Sequence, residues 1–132
     1  MISWHVLKVL GLGYSAFVLI DLFWLGFLMR DFYATQLGSQ LRIVNGALAP
    51  QWPAALIVWF LLVLGLYIFV LPKATTIFSA AFYGALFGII VYGVYDLSNY
   101  ATLSDWPFIV VIFDLLWGAC INSLIAMLMF FL

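Results

Sequence analysis

The chain has 132 residues, 69% of them hydrophobic and 7% charged, with a net charge of −1 and a mean hydropathy of +1.28. No soluble domain of that size hides so much apolar surface, because small folds still expose much of what they contain. With no basic cluster there is no electrostatic basis for nucleic-acid binding. One histidine and one cysteine are too few soft ligands for a zinc, copper or haem site.

Four apolar stretches are long enough to cross a hydrocarbon layer of about 30 Å. They predict an all-α membrane protein, a compact bundle of four transmembrane helices built as two helical hairpins within one domain, 1–132. The first stretch covers residues 6–29. It is too long for a signal-peptide core and has no small-x-small cleavage pattern before Arg30, so it reads as a retained helix. Within it Asp21 shares a face with Tyr14, Val18, Trp24 and Leu25.

The connection from Arg30 to Trp52 is the longest. "RDFYATQLGSQLRIV" puts Tyr33, Leu37 and Leu41 at helical spacing, with Gln36, Gln40 and Arg42 on other faces. This predicts a short amphipathic helix lying on the membrane, an ordered interfacial loop being the plainer alternative. "NGALAPQWP" then breaks it.

The remaining helices are expected at 53–71, 76–100 and 107–132. Pro53 and Pro107 each follow a tryptophan. Proline suits the first helical turn and tryptophan the membrane interface, so the second and fourth helices begin at the same surface. Pro72 and Lys73 make a tight link to the third helix. Asp21 and Asp96 each have a glycine eight residues earlier, Gly13 and Gly88, and each precedes a loop and Trp-Pro. That is the pattern of a parallel repeat. Lys8 and Lys73 fall on one side and Arg30 and Arg42 on the other, so the positive-inside rule gives a tie. Cys120, inside the fourth helix, reads as a small core residue.

The chain has five aspartates and no glutamate. Asp31 and Asp105 fall in connections and read as solvated. Asp21, Asp96 and Asp114 fall inside helices. At 1.5 Å per residue all three lie roughly 10–12 Å below the surface that carries the long connection. Gly84, Gly88, Tyr92 and Asp96 recur every four residues, and Asn99 shares their face. Asp114, Gly118, Asn122 and Ala126 form an equivalent stripe on the fourth helix, with Trp117 beside it. All three acids therefore point into the bundle. A central aspartate costs about 2.5–3.5 kcal/mol on insertion scales, so a cluster of them needs hydrogen bonds, to one another or to Asn99, Asn122, Ser98 and tyrosine hydroxyls. Carboxylates that share a low-dielectric site titrate as a group. The blander readings are that each aspartate is interhelical glue, that the tryptophans are interface belt and packing, and that "DLFW" and "DLLW" repeat by chance.

"DLFWLG", "DFYATQLG", "WPAAL", "YDLSNYATLSDWP" and "DLLWG", in that order over nearly the whole chain, resemble the bacterial DUF2177 family of small membrane proteins. The resemblance implies four membrane helices and makes Asp21, Tyr33, Asp96, Asn99, Trp106, Pro107, Asp114 and Trp117 family-pattern positions. It brings no activity with it.

The residues themselves point to a pocket in which Asp21, Asp96 and Asp114 exchange protons or act as acid and base. Asn99, Trp24, Trp117, Asn122, Tyr33 and Arg42 are the candidate ligand contacts. Three readings stay open. One is proton-coupled transport of a small or lipophilic cation, as a homodimer. Another is an enzyme acting on a lipid or isoprenoid, with the amphipathic segment as a lid. No cofactor is expected, though a hard cation such as Mg²⁺ could be held by the oxygen ligands Asp96, Asn99 and Asp114. The third is an accessory subunit that docks a partner helix. All three place a multi-pass protein in the lipid bilayer of the bacterial inner (cytoplasmic) membrane.

Overall fold

The computed structural model describes residues 1–132. Helix α1, Trp4–Phe23, starts at Ser3, whose hydroxyl accepts the backbone N–H of Val6. It runs on into a π-helical turn, Trp24–Leu28. Helix α2, Arg30–Leu37, follows and stops at Gly38, whose φ of 54° is a left-handed conformation that suits glycine. After a 3₁₀ turn at Gly38–Gln40, strands β1, Ile43–Val44, and β2, Ala47–Leu48, pair antiparallel through Asn45 and Gly46. Both turn residues have positive φ, at 52° and 76°, which is why an Asn-Gly pair makes this tight hairpin. The amphipathic segment is thus a helix only as far as Leu37. Left-handed Gly38 ends it, and a hairpin replaces the rest.

Helix α3, Trp52–Gly65, has Pro53 in its first turn and continues through a π turn, Leu66–Val70, and a 3₁₀ turn, Leu71–Lys73. Helix α4, Ile77–Thr102, opens with reciprocal hydrogen bonds between Thr76 and Ser79, and α5, Phe108–Phe131, begins after Pro107. Four segments are long and apolar enough to cross a membrane: Trp4–Leu28, Trp52–Lys73, Ile77–Thr102 and Phe108–Phe131. They alternate in direction, so α2, the hairpin and the α4–α5 link share one surface. Large apolar side chains such as Phe27, Phe78, Phe82 and Phe131 face outward, as lipid-facing residues do. Cys120 faces outward too, which corrects its reading as a core residue.

The α4–α5 hairpin is the tightest part of the bundle. A Cβ on Gly88 would stand 2.0 Å from the Gly118 carbonyl oxygen, and one on Gly84 would stand 2.6 Å from that of Asn122. The ring of Tyr92 covers Gly118. Backbones this close are how membrane helices associate when lipid is as apolar as leucine. Helix α1 lies against α3 and α5, burying Val9 and Phe17 among Val63, Ile121, Ile125 and Met129.

Helix α4 meets the second span mainly at the π turn, far from α2. There the Phe87 ring rests on Gly65, where a Cβ would come within 2.5 Å of it. Nearer α2 the two helices part. Gly65→Ala must push that ring aside, and we expect it to lower stability by about 1–3 kcal/mol. Thermal unfolding in detergent checks this. A melting temperature equal to wild type would mean that the ring turns away freely.

Candidate functional site: a carboxylate–tryptophan centre

Near the surface that carries α2, the three intramembrane aspartates converge, each held by aromatic donors. Asp21, on α1, accepts the Trp59 indole N–H at 2.7 Å on Oδ2 and that of Trp117 at 2.8 Å on Oδ1. Asp96, on α4, is fully buried. Its Oδ1 accepts from Trp106 Nε1 at 3.3 Å, and its Oδ2 has no donor. The carboxyl groups of Asp96 and Asp114 are close neighbours. Asp114, on α5, accepts the Tyr33 hydroxyl, which itself accepts Trp24 Nε1 at 3.2 Å.

The circuit closes through a stack. Trp24 and Trp117 lie face to face, ring centres 4.1 Å apart and planes 4° from parallel. "DLFW" and "DLLW" therefore interlock across α1 and α5. Trp117 serves Asp21 directly, while Trp24 serves Asp114 through Tyr33. Both motifs are used at one site, where they join α1 to α5. The π turn begins three residues after Asp21 and carries both Trp24 and Leu25 to the site, a common use of π turns.

Helix α2 straps the site. Tyr33 is its one fully buried side chain. Phe32 packs on Phe113 at 4.8 Å, and Gln40 Nε2 donates to the Asp105 carbonyl at 3.0 Å. Burial, and then the adjoining Asp114 carboxylate, push the Tyr33 phenol above its ordinary range. A group that holds its proton more tightly when folded stabilises fully below its unfolded value and less as pH rises past it. Removing the hydroxyl by Tyr33→Phe is expected to cost about 1.5–3 kcal/mol at neutral pH. The gap to wild type should narrow above about pH 10, where only the unfolded phenol ionises. Chemical unfolding across pH 7 to 11 measures it, and a constant gap would contradict the coupling.

Beneath the strap is a cavity of ≈ 230 Å³ lined by Asp21, Asp114, Tyr33 and Trp117, with Leu25, Tyr92, Tyr95 and Trp106 completing the wall. Of the residues expected at the site, Asp21, Asp96, Asp114, Tyr33, Trp24 and Trp117 come together. Asn99 sits one turn beyond Asp96 and is not on the cavity wall. Asn122 is two turns deeper than Asp114 and donates to the Gly118 carbonyl at 2.8 Å, so it belongs to helix packing. Arg42 is exposed just before β1. No cluster of three acidic, histidine or cysteine side chains has a metal-binding arrangement.

Trp59, Trp106, Tyr92 and Tyr95 join the site as donors and walls. Trp59 carried a usable signal: it lies six residues after Pro53, as Asp114 lies seven after Pro107, and so at the same depth. Four of the six tryptophans serve the site, while Trp4 and Trp52 are exposed. The other four have a role that the belt-and-packing reading did not give them.

Four spans around carboxylates held by indole and phenol donors define a multi-pass integral membrane protein with a polar centre in one half of its thickness. Residues 6–131 match the family described as "Predicted membrane protein (DUF2177)", and the chain belongs to that family. No curated protein and no solved structure matches it.

Proposed function

We propose that the cavity binds a small or lipophilic cation in exchange for a proton, as the working centre of proton-coupled transport across the bacterial cytoplasmic membrane. The observation that carries this reading is charge without a counter-charge. The donors that hold the three carboxylates are neutral N–H and O–H groups. Lys8 and Lys73 belong to the opposite end of the bundle, Arg30 lines a separate groove beside Trp52, and Arg42 is exposed. A bound cation supplies what the chain lacks, and the aromatic walls suit the diffuse charge of an organic one. Two carboxylates in mutual reach only accept, so a proton between Asp96 and Asp114 makes their contact a bond. A cation that displaces this proton links binding to proton release.

The test is titration of purified protein in weakly buffered detergent with tetraphenylphosphonium, following heat and released protons together. Saturable binding with proton release, both lost in Asp114→Asn, supports the reading. Heat without proton release leaves a cation site but removes the coupling. One observation favours a second reading, catalysis on a lipid: Tyr33 brings a hydroxyl to Asp114 from outside the spans, as a lid would. Product formation from bilayer lipid, abolished by Asp114→Asn, would decide for it.

A further inference from the structure

The cavity under α2 has a larger neighbour. A cleft of ≈ 430 Å³ shares Asp21, Tyr92 and Tyr95 with it and is walled by Val58, Trp59 and Leu62 of α3 and Val91 of α4. It lies where α3 and α4 part, and two of its residues, Val58 and Tyr95, are more than half exposed, at 53% and 58%. Both fall inside membrane-spanning segments, so the mouth opens sideways onto hydrocarbon.

Resting on the cation reading, we propose that this cleft admits an amphipathic cation from the bilayer, its alkyl or aryl tail lying between α3 and α4 and its head at Asp21. Charge complementarity selects the head, because Asp21 lines both this cleft and the cavity that holds Asp114, with no basic side chain on either wall. The walls select the tail, since apart from the Asp21 and tyrosine oxygens and the Trp59 N–H they are apolar. Trp59 stands at the junction. Its indole lines the cleft while its N–H holds Asp21 at 2.7 Å, so a tail in the cleft lies along the ring that steadies the head's counter-charge. Lipid solvates a tail as well as the cleft does. The cleft therefore governs which cations reach the acids rather than adding affinity for the tail.

The experiment compares decyltrimethylammonium with tetramethylammonium on the full chain in nanodiscs of uncharged phospholipid. It uses wild type, Val58→Trp, Val91→Trp and Asp21→Asn. Val58 is on the lipid side, where a larger side chain is accommodated, and retained tetramethylammonium binding reports an intact fold. The tryptophan variants are expected to weaken decyltrimethylammonium by roughly tenfold or more and to leave tetramethylammonium unchanged. Asp21→Asn should weaken both. Unchanged binding of the long-tailed probe in both tryptophan variants overturns the lateral route while the cation site stands. Equal loss of both probes in both variants also overturns it, since head and tail would then share the cleft. If wild type binds neither probe, the cation reading itself fails.

Discussion

Gly88→Ala is expected to leave no stably folded protein in detergent. Its Cβ would stand 2.0 Å from the Gly118 carbonyl oxygen, a backbone atom that cannot swing aside as a side-chain tip can. Helices α4 and α5 would have to separate along their whole contact, opening the Gly84–Asn122 approach as well. The separation also reaches the polar centre, because Asp96 lies two turns along α4 from Gly88 and Asp114 one turn along α5 from Gly118. A loss above about 4 kcal/mol belongs to this kind of overpacking, and it is comparable with the total stability of many proteins. Gly11→Ala and Gly26→Ala are the controls. Nothing lies within 4 Å of a Cβ at either position. Size-exclusion profiles and thermal unfolding distinguish the three. If Gly88→Ala melts within a few degrees of the controls, the close approach of the two helices is not what holds the hairpin.

Asp21→Asn and Asp96→Asn should move stability in opposite directions, though the chemical change is the same. Asp21 accepts one indole N–H on each oxygen. An amide there keeps one acceptor and turns an N–H₂ toward the other indole donor, leaving two donors face to face. A buried donor stranded in this way costs about 1–3 kcal/mol. At Asp96 the amide oxygen can keep the Trp106 bond while the N–H₂ donates to Asp114. The amide nitrogen replaces Oδ2, the oxygen that has no donor, and does the work of a shared proton. Asp96→Asn is therefore expected to match or exceed wild type near neutral pH. Thermal unfolding together with tryptophan emission, to which Trp59, Trp106 and Trp117 contribute among six tryptophans, reads both variants. Equal destabilisation would show that an amide at position 96 does not reach Asp114.

The spans were legible because hydropathy over twenty residues depends little on detail, and their observed ends fall within a few residues of the predicted ones. Depth was legible too. Counting from Pro53, Pro107 and the loop ends brings Asp21, Asp96 and Asp114 to one level before any packing is known. The stripes of α4 and α5 were readable because glycine marks a face even where every other residue is apolar. Rotation was not readable for α3. A helix that is apolar all round carries no stripe to say which side Trp59 takes, so its bond to Asp21 emerges only from packing. The π turn at Trp24–Leu28 was hidden for a similar reason, since one extra residue in a turn leaves hydropathy unchanged. Asn122 misled because it continues the Asp114 stripe, yet two turns along α5 carry it past the cavity to the glycine contact.

The placement of the acids also fixes how the centre responds to voltage. The carboxylates lie about a third of the way through a hydrocarbon layer of about 30 Å, on the side of α2. A charge that reaches them from that side crosses about a third of the electrical drop, worth ~0.8 kcal/mol per 100 mV against about 2.3 for a full crossing. The larger share falls across the half of the bundle where Gly84 and Gly88 bring α4 and α5 into backbone contact. The bundle is thus an asymmetric capacitor, with its carboxylates close to one plate and its close-packed insulation toward the other.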